Sequence, residues 1–173
     1  MESRIYIIGY MGAGKTTIGR QLASMIRYPF IDLDQYIEKA HGTSVTDIFL
    51  DRGEEYFRLL EQRYLKKVTH LQQAVIACGG GTPCFYDNLD VMLKSGLVMY
   101  LKQSINILHQ RLIDQQMQRP LLMGMDESQL IVFIDQNVTR REQFYLQAHL
   151  IFEPEKETLE QLVDRLSLFN KGG

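Results

Sequence analysis

Short apolar runs alternate along the chain with longer segments in which apolar residues recur every three or four positions. The apolar runs RIYIIG, PFIDLD, AVIACGGG, GLVMYL and AHLIF predict five strands. The longer segments predict helices, because apolar residues at this spacing form one face of a helix. The predicted helices cover residues 15–26, 35–41, 45–50, 54–70, 88–95, 104–116, 127–146 and 156–169.

This alternation predicts an α/β protein with a five-stranded parallel sheet. Strands that alternate with helices form parallel pairs through helical crossovers, which cover both faces of the sheet. Parallel strands buried on both faces read as continuous apolar runs, as these do. We therefore predict a three-layer α/β/α architecture, and the length of 173 residues predicts one domain over residues 1–173. Ligands of such sheets bind at the carboxyl ends of the strands.

A phosphate-binding loop follows the first predicted strand. The segment GYMGAGKT, residues 9–16, matches G-x-x-x-x-G-K-[ST] between a strand and a helix. Its glycines let backbone N–H groups point at phosphates, and the following helix adds its positive end. Lys15 is expected to reach the β and γ phosphates, and Thr16 to offer its hydroxyl to Mg²⁺. The candidate nucleotide-binding residues are Gly12, Ala13, Gly14, Lys15, Thr16 and Thr17.

Two aspartates, Asp32 and Asp34, end the second predicted strand, FIDLD. Residues two apart in a strand point to the same face, so the two carboxylates are expected side by side. Near the phosphate loop, one can face the metal and the other can accept a hydrogen bond from a substrate hydroxyl. The alternatives are a helix N-cap for Asp34 and a solvated strand end for Asp32.

Two further features are candidates for the acceptor side. Arg58 and Glu61 lie three apart on one predicted helical face, so Glu61 can hold Arg58 towards an anionic group of a substrate. The alternative is a surface ion pair. Gly79, Gly80 and Gly81 end the third predicted strand, and three glycines in a row indicate close approach to the backbone. The alternative is a flexible turn.

Two more arginines are candidate binding residues, one in a predicted loop and one on a predicted helix. Arg119, in QRPLL, lies in a predicted polar loop that could close over a nucleotide. Arg141, in RREQFY, lies four residues before Tyr145 on a predicted helix. A loop arginine before a proline turn and a solvated helix face are the respective alternatives.

Composition narrows the class of partner and the compartment. The net charge is −2, so no overall basic field indicates nucleic acid or an anionic membrane. No apolar stretch reaches the ~20 residues of a membrane span. The two cysteines, Cys78 and Cys84, do not make a disulfide framework or a zinc site. We expect a cytoplasmic protein without a signal peptide, and a monomer because no exposed apolar stripe is evident.

Taken together, these segments resemble the shikimate kinase family of P-loop small-molecule kinases. The resemblance runs from the Gly9 loop to about Ala148. It rests on GYMGAGKTTIGRQLA, FIDLD followed by YIE, GTSVTDIF, RGEEYFRLLE, CGGG, RPLL and RREQFYLQA in that order. It implies a nucleoside monophosphate kinase-like fold, ATP and Mg²⁺ as co-substrate and cofactor, and transfer of the ATP γ-phosphate to the 3-hydroxyl of shikimate, a step of chorismate and aromatic amino acid biosynthesis.

The resemblance also implies roles for individual residues. Asp34 orients the attacking hydroxyl, and Arg58 and Arg141 bind the shikimate carboxylate. Asp32 helps to hold Mg²⁺ through water, and Arg119 is the lid arginine. The remaining implied features are the pocket lining by Gly79, Gly80 and Gly81, a nucleotide contact by Arg111, a substrate-binding helical segment at about 34–62 and a lid at about 112–124.

Other readings stay open at the level of sequence. A gluconate kinase or a nucleoside monophosphate kinase shares the phosphate loop, and so does a non-catalytic nucleotide-binding module. The EPEKE loop, residues 153–157, is where the family holds adenine, but no residue there carries a sharp signature.

Overall fold

Five strands lie in one sheet of the computed structural model, which describes residues 3–115, 122 and 124–169. The strands are β1 (Ser3–Ile8), β2 (Phe30–Asp32), β3 (Gln73–Ala77), β4 (Leu97–Leu101) and β5 (Leu150–Phe152). Their order is β2-β3-β1-β4-β5, and all four pairings are parallel. The predicted five-stranded parallel sheet is confirmed.

The helices of the described residues follow the predicted pattern with shifted bounds. They are α1 (Lys15–Ile26), α2 (Leu33–His41), α3 (Val45–Val68), α4 (Asn88–Ser95), α5 (Ile105–Ile113), α6 (Glu127–Tyr145) and α7 (Leu159–Phe169), with a short 3-10 helix at Thr82–Cys84. Ser104 caps α5 instead of starting it, because its hydroxyl accepts from the Ile107 amide. Within the described ranges, no helix is long and apolar enough to cross a membrane.

Helix α3 joins two segments that the sequence predicts as separate helices. The break between residues 50 and 54 is a kink at Gly53, which has φ 81° and ψ 171°. This left-handed φ favours glycine, because a Cβ there strains the backbone. The long second half of α3 carries Arg58 and Glu61, so the kink sets the direction in which this pair enters the protein.

Both faces of the sheet are covered by helices. Ile5, Tyr6, Ile7 and Ile8 of β1 are all buried, although successive residues of a strand point to opposite faces. Helix α1 packs against β1, β2 and β3, and α4 packs against β4. The predicted three-layer α/β/α architecture is confirmed.

The chain leaves β2 earlier than the sequence pattern predicts. Strand β2 stops at Asp32, and α2 begins at Leu33, so Asp34 lies in the first turn of a helix. The expectation that Asp32 and Asp34 share one face of a strand is wrong. The N-cap of α2 is Asp32 and not Asp34, because Oδ1 of Asp32 accepts from the Gln35 amide at 3.3 Å.

Candidate functional site

The loop after β1 curls around a space at the carboxyl edge of the sheet. Gly12 and Gly14 have φ of 79° and 96°, conformations that side chains rarely adopt. Gly14 is the N-cap of α1, and the first turn of α1 carries no acidic residue. The positive end of α1 therefore faces this space with no carboxylate from α1 itself, which favours a phosphate site.

The side chain of Lys15 folds back onto the phosphate-binding loop. Its Nζ donates to the carbonyls of Gly9 and Tyr10, both at 2.8 Å. These carbonyls hold the ammonium group in the cavity that the loop lines. The sequence places Lys15 in this loop but does not give these two contacts.

The outer side of the loop is supported by α5 and the residues before it. Nη1 of Arg111 donates to the carbonyls of Gly12 and Ala13 at 3.1 and 2.9 Å. Nε2 of Gln103 donates to the Ala13 carbonyl at 3.3 Å. In this structure Arg111 therefore contacts the phosphate loop itself. No motif pointed to Gln103, because its contact depends on how the residues before α5 pack.

Thr16 and Asp32 form the side of the cavity that suits a metal. The Thr16 hydroxyl donates to Oδ2 of Asp32 at 2.7 Å, and both residues line the cavity. Mg²⁺ prefers oxygen ligands and commonly uses one or two carboxylates together with water and substrate phosphates. The described residues contain no cluster of three acidic, histidine or cysteine ligands. The hydroxyl and carboxylate oxygens of this pair fit Mg²⁺.

Asp34 also lines this cavity. Its Oδ1 is buried and has no hydrogen-bond partner among the described residues. Burial, followed by the charges of Glu61 and Asp32, raises the pKa of Asp34 to about 7. A carboxylate with an unfilled acceptor position and a pKa near neutrality is suited to accept a proton from a substrate hydroxyl.

Arg58 and Glu61 form a buried ion pair, so the surface-pair alternative is wrong. Arg58 is 8% exposed and Glu61 is 0% exposed, and Nη1 of Arg58 donates to Oε2 of Glu61 at 2.9 Å. The other oxygen of Glu61 accepts from the Thr82 hydroxyl at 2.5 Å. The ring of Phe85 lies 4.2 Å from the Arg58 guanidinium. These contacts fix the plane of the guanidinium group.

The charge of Arg58 is stabilised by its carboxylate neighbours. Burial opposes that charge, but Glu61 and Glu54 raise the pKa of Arg58 above its ordinary value. Oε1 of Glu54 accepts from Nε and Nη2 of Arg58 at 3.2 and 3.0 Å. Glu54 is 55% exposed, so one edge of the guanidinium is covered by a carboxylate that can move into solvent.

The three glycines after β3 allow close packing on three sides. A Cβ at Gly79 would lie 3.0 Å from Glu61 Oε1 and 3.3 Å from Asp34 Oδ1. A Cβ at Gly80 would lie 3.1 Å from the Met11 amide nitrogen, and one at Gly81 only 2.6 Å from Arg58 Nη2. None of the three has a positive φ. Space requires the glycines here, which argues against the flexible-turn alternative.

Arg141 approaches from α6. Its guanidinium lies 5.6 Å from the centre of the Tyr10 ring and is half-buried, so it does not belong to a fully solvated helix face. One turn later on α6, Tyr145 donates to the Gly80 carbonyl at 2.6 Å. The spacing of Arg141 and Tyr145 is visible in the sequence, but their contacts with loops more than 60 residues away are not.

One cavity of about 470 Å³ joins the phosphate loop to Asp34. Its walls are Met11–Ile18, Asp32, Asp34, Ala77–Gly80, Gln103, Arg111, Gln115 and Pro154. Pro154 belongs to the EPEKE segment, where the sequence alone assigned no contact. Arg119 lies outside the described residues, as does most of the predicted lid at 112–124.

Comparison with known proteins gives one consistent family. A family model described as shikimate kinase matches residues 11–169. A curated shikimate kinase of Azobacteroides pseudotrichonymphae genomovar. CFP2 is 42% identical over 164 residues, covering 94% of this chain and 96% of the relative. One from Parabacteroides distasonis is 42% identical over 95% of both chains.

Solved structures agree with these relatives. The crystal structure of shikimate kinase from Bacteroides thetaiotaomicron has a TM-score of 0.87 at 40% identity, over 98% of both chains. Shikimate kinase from Acinetobacter baumannii, in complex with shikimate, has a TM-score of 0.84 at 32% identity, over 99% of this chain and 96% of that one. The likeness to deoxyadenosine kinase from M. mycoides with bound dATP, at 16% identity and a TM-score of 0.61, is one of fold alone. The chain therefore belongs to the shikimate kinase family.

Proposed function

We propose that this chain transfers the γ-phosphoryl group of ATP to the 3-hydroxyl of shikimate, giving shikimate 3-phosphate and ADP. The observation that carries this proposal is that Lys15, Thr16 and Asp34 all line one cavity. A structural relative was solved in complex with shikimate, which supports the choice of acceptor.

Phosphoryl transfer depends on positioning and on neutralising charge, since its transition state is loose. Lys15 exchanges its two loop carbonyls for phosphate oxygens of ATP. Thr16 and Asp32 hold Mg²⁺, which neutralises charge on the phosphates when bound. Gly12, Ala13, Gly14 and Thr17 complete the nucleotide side, the first three through the loop and Thr17 through the first turn of α1.

The acceptor is held by charge at one end and by hydroxyl contacts at the other. Arg58 and Arg141 bind the shikimate carboxylate, and arginine suits this task because its fork can bind two oxygens. Asp34 accepts a hydrogen bond from the attacking hydroxyl and takes its proton as the P–O bond forms. The backbone of Gly79, Gly80 and Gly81 lines the ring pocket, with side chains absent because Asp34, the phosphate loop and Arg58 occupy the space.

A lid and a helical segment complete the proposed kinase domain. Arg119 closes over the phosphates, within a lid at about 112–124. Residues 34–62 form the acceptor-binding helical segment of one kinase domain at 1–173. We further propose a monomer that acts in the cytoplasm on small molecules and binds neither nucleic acid nor membranes, in keeping with the near-neutral net charge.

ADP release from MgATP by the purified protein tests this function. Shikimate, gluconate, AMP and CMP serve as acceptors in parallel, and Lys15→Ala provides the blank. We expect release that depends on shikimate and disappears in the blank. Release with another acceptor but not with shikimate contradicts the acceptor assignment, and ATP binding without release for every acceptor contradicts kinase activity.

Replacing Arg141 by Ala is expected to raise KM for shikimate by about 10- to 100-fold. A hydrogen bond to a charged group contributes about 1.5–3 kcal/mol, and 1.4 kcal/mol corresponds to tenfold. KM for MgATP should stay within about twofold. Steady-state kinetics with each substrate varied in turn measures both constants.

The matched control for this variant is Arg140→Ala. Arg140 is the preceding residue, is exposed and donates to Asn137 on its own helix. It should leave both KM values unchanged. Equal increases in the two KM values for Arg141→Ala indicate general damage and contradict a specific carboxylate contact.

Glu54→Gln is expected to lower KM for shikimate by about two- to fivefold. In the unliganded protein Glu54 covers the Nε and Nη2 edge of Arg58, so an incoming carboxylate competes with it. Because Glu54 is itself exposed, its ion pair is expected to contribute about 0.2–1 kcal/mol, as for exposed pairs, and this sets the size of the effect. Glu55→Gln, a neighbouring exposed carboxylate, is the control. An increase in KM would mean that Glu54 orients Arg58 for the substrate.

A further inference from the structure

Tyr145 links the last turn of α6 to the loop of three glycines. The side chain is fully buried, and its ring packs on Tyr100 with 5.0 Å between ring centres. Its hydroxyl donates to the carbonyl of Gly80 at 2.6 Å, across 65 positions of sequence. A core tyrosine needs a partner for its hydroxyl, but here the partner is a backbone group of the proposed acceptor pocket.

The carbonyl of Gly80 differs from its neighbours in how it is held. The carbonyls of Gly79 and Gly81 accept from the amides of Thr82 and Cys84 at 3.1 and 2.8 Å, within the loop itself. The Gly80 carbonyl accepts from the side chain of Tyr145. A side chain from α6, and not an amide of the same loop, therefore orients this peptide group.

The position of Gly80 matters for both substrates. A Cβ at Gly80 would lie 3.1 Å from the Met11 amide, so this peptide packs directly on the phosphate loop. The adjacent Gly81 packs on the Arg58 guanidinium, where a Cβ would lie 2.6 Å from Nη2. A shift of the loop by a few tenths of an ångström therefore changes the distance between the nucleotide side and the acceptor side.

Arg141 lies one helical turn before Tyr145 on α6, at the i, i+4 spacing that places two side chains on one face of the helix. The hydroxyl hydrogen is used by Gly80, so an oxygen lone pair is left to accept from the guanidinium. Burial raises the pKa of Tyr145, so the phenol keeps its proton at neutral pH and donates it to the Gly80 carbonyl.

We propose that Tyr145 is a positioning residue of the acceptor site, whose hydroxyl fixes the Gly80 peptide and the Arg141 guanidinium relative to each other. This inference rests on the proposed function, because Arg141 and Gly80 are its acceptor-binding groups. Tyr145 itself contacts neither substrate. It acts by keeping two groups from distant parts of the chain at the separation that one acceptor molecule spans.

Tyr145→Phe tests the proposal, because it removes the hydroxyl and keeps the buried ring. We expect KM for shikimate to rise about tenfold, while kcat stays within about threefold and KM for MgATP within about twofold. Tyr100→Phe is the matched control, since it removes a hydroxyl from the other ring of the same pair. That variant should keep all three constants. Wild-type KM for shikimate in a folded Tyr145→Phe protein overturns the proposal, as does a parallel rise in both KM values.

Combining Tyr145→Phe with Arg141→Ala shows whether Tyr145 acts by positioning Arg141 or contributes independently to shikimate binding. If Tyr145 acts through Arg141, the double variant raises KM by clearly less than the product of the two single effects. A full product of the two effects overturns the part of the proposal that concerns Arg141.

Hydrogen exchange measured on the protein without substrates tests the same contact and does not depend on which acceptor the protein uses. We expect hydrogen exchange of the Thr82 and Cys84 amides to be about tenfold faster in Tyr145→Phe and unchanged in Tyr100→Phe. Unchanged exchange in Tyr145→Phe overturns the proposal even if shikimate is not the acceptor. A wild-type protein that releases no ADP with shikimate instead overturns the proposed function, so the two failures are distinguished.

Discussion

Replacing Asp34 by Asn lowers kcat for transfer to shikimate by about 10²- to 10⁴-fold, the range for loss of a positioned proton acceptor. Asn has the size of Asp but cannot take the proton of the attacking hydroxyl. Asp34 lies outside the phosphate loop, so the variant should leave the Kd of MgATP within about threefold of the wild-type value. Single-turnover kinetics and nucleotide titration measure the two quantities, with the exposed Asp51→Asn as control.

Asp34→Asn is also expected to change the unfolding free energy in a pH-dependent way, and measuring this change shows that the variant is folded. Because the folded pKa of Asp34 is raised to about 7, ionisation of this group destabilises the native state. Its contribution is most favourable below the ordinary aspartate pKa of the unfolded chain and is lost as pH rises through about 7. We expect Asp34→Asn to be more stable than wild type at pH 8, by about 2–4 kcal/mol, and similar near pH 4. Turnover near the wild-type value contradicts the proposed role of Asp34.

Arg58→Met has the second large effect, and it acts on both stability and binding. It leaves the carboxylate of Glu61 buried without its cationic partner. Breaking a buried ion pair on one side costs about 3–5 kcal/mol of unfolding free energy. The loss of a charged ligand for the shikimate carboxylate should raise KM by about 100-fold. Denaturant unfolding and kinetics measure the two effects separately.

A double variant distinguishes these two roles of Arg58. Arg58→Met with Glu61→Gln removes both charges and keeps an oxygen that can accept from Thr82. We expect most of the lost stability to return, because the uncompensated charge is gone, while KM for shikimate stays high. Recovery of KM in the double variant contradicts the role of Arg58 as a ligand of the acceptor. Wild-type stability of the single variant contradicts the importance of its pairing with Glu61.

Much of the fold follows from local patterns in the sequence. The five apolar runs and the loop from Gly9 to Thr16 are set by periodicity and by fixed residue types, and both are read correctly. The exit from β2 is not, because the apolar and polar alternation continues through Leu33 and Asp34. The helix starts there because Asp32 caps it. The alternation of apolar and polar residues does not by itself decide between a longer strand and a capped helix.

The site depends on contacts between distant segments, which no local pattern specifies. The spacing of Arg58 and Glu61 predicts that they can pair, but their burial depends on Thr82 and Phe85, more than 20 residues away. The spacing of Arg141 and Tyr145 likewise gives no sign of Gly80. The roles of Asp34, Arg58 and Arg141 remain predictions that the variants above test, and the role of Arg119 as the lid arginine also remains a prediction.

The central claim is that this chain places the γ-phosphoryl group of ATP on the 3-hydroxyl of shikimate. The most direct test is to incubate the protein with Mg²⁺, γ-labelled ATP and shikimate, and to identify the labelled product by NMR. The account predicts that the label appears in shikimate 3-phosphate, in amounts equal to the ADP formed, and that Lys15→Ala yields none. Label found only in inorganic phosphate, or on another hydroxyl of shikimate, would contradict it.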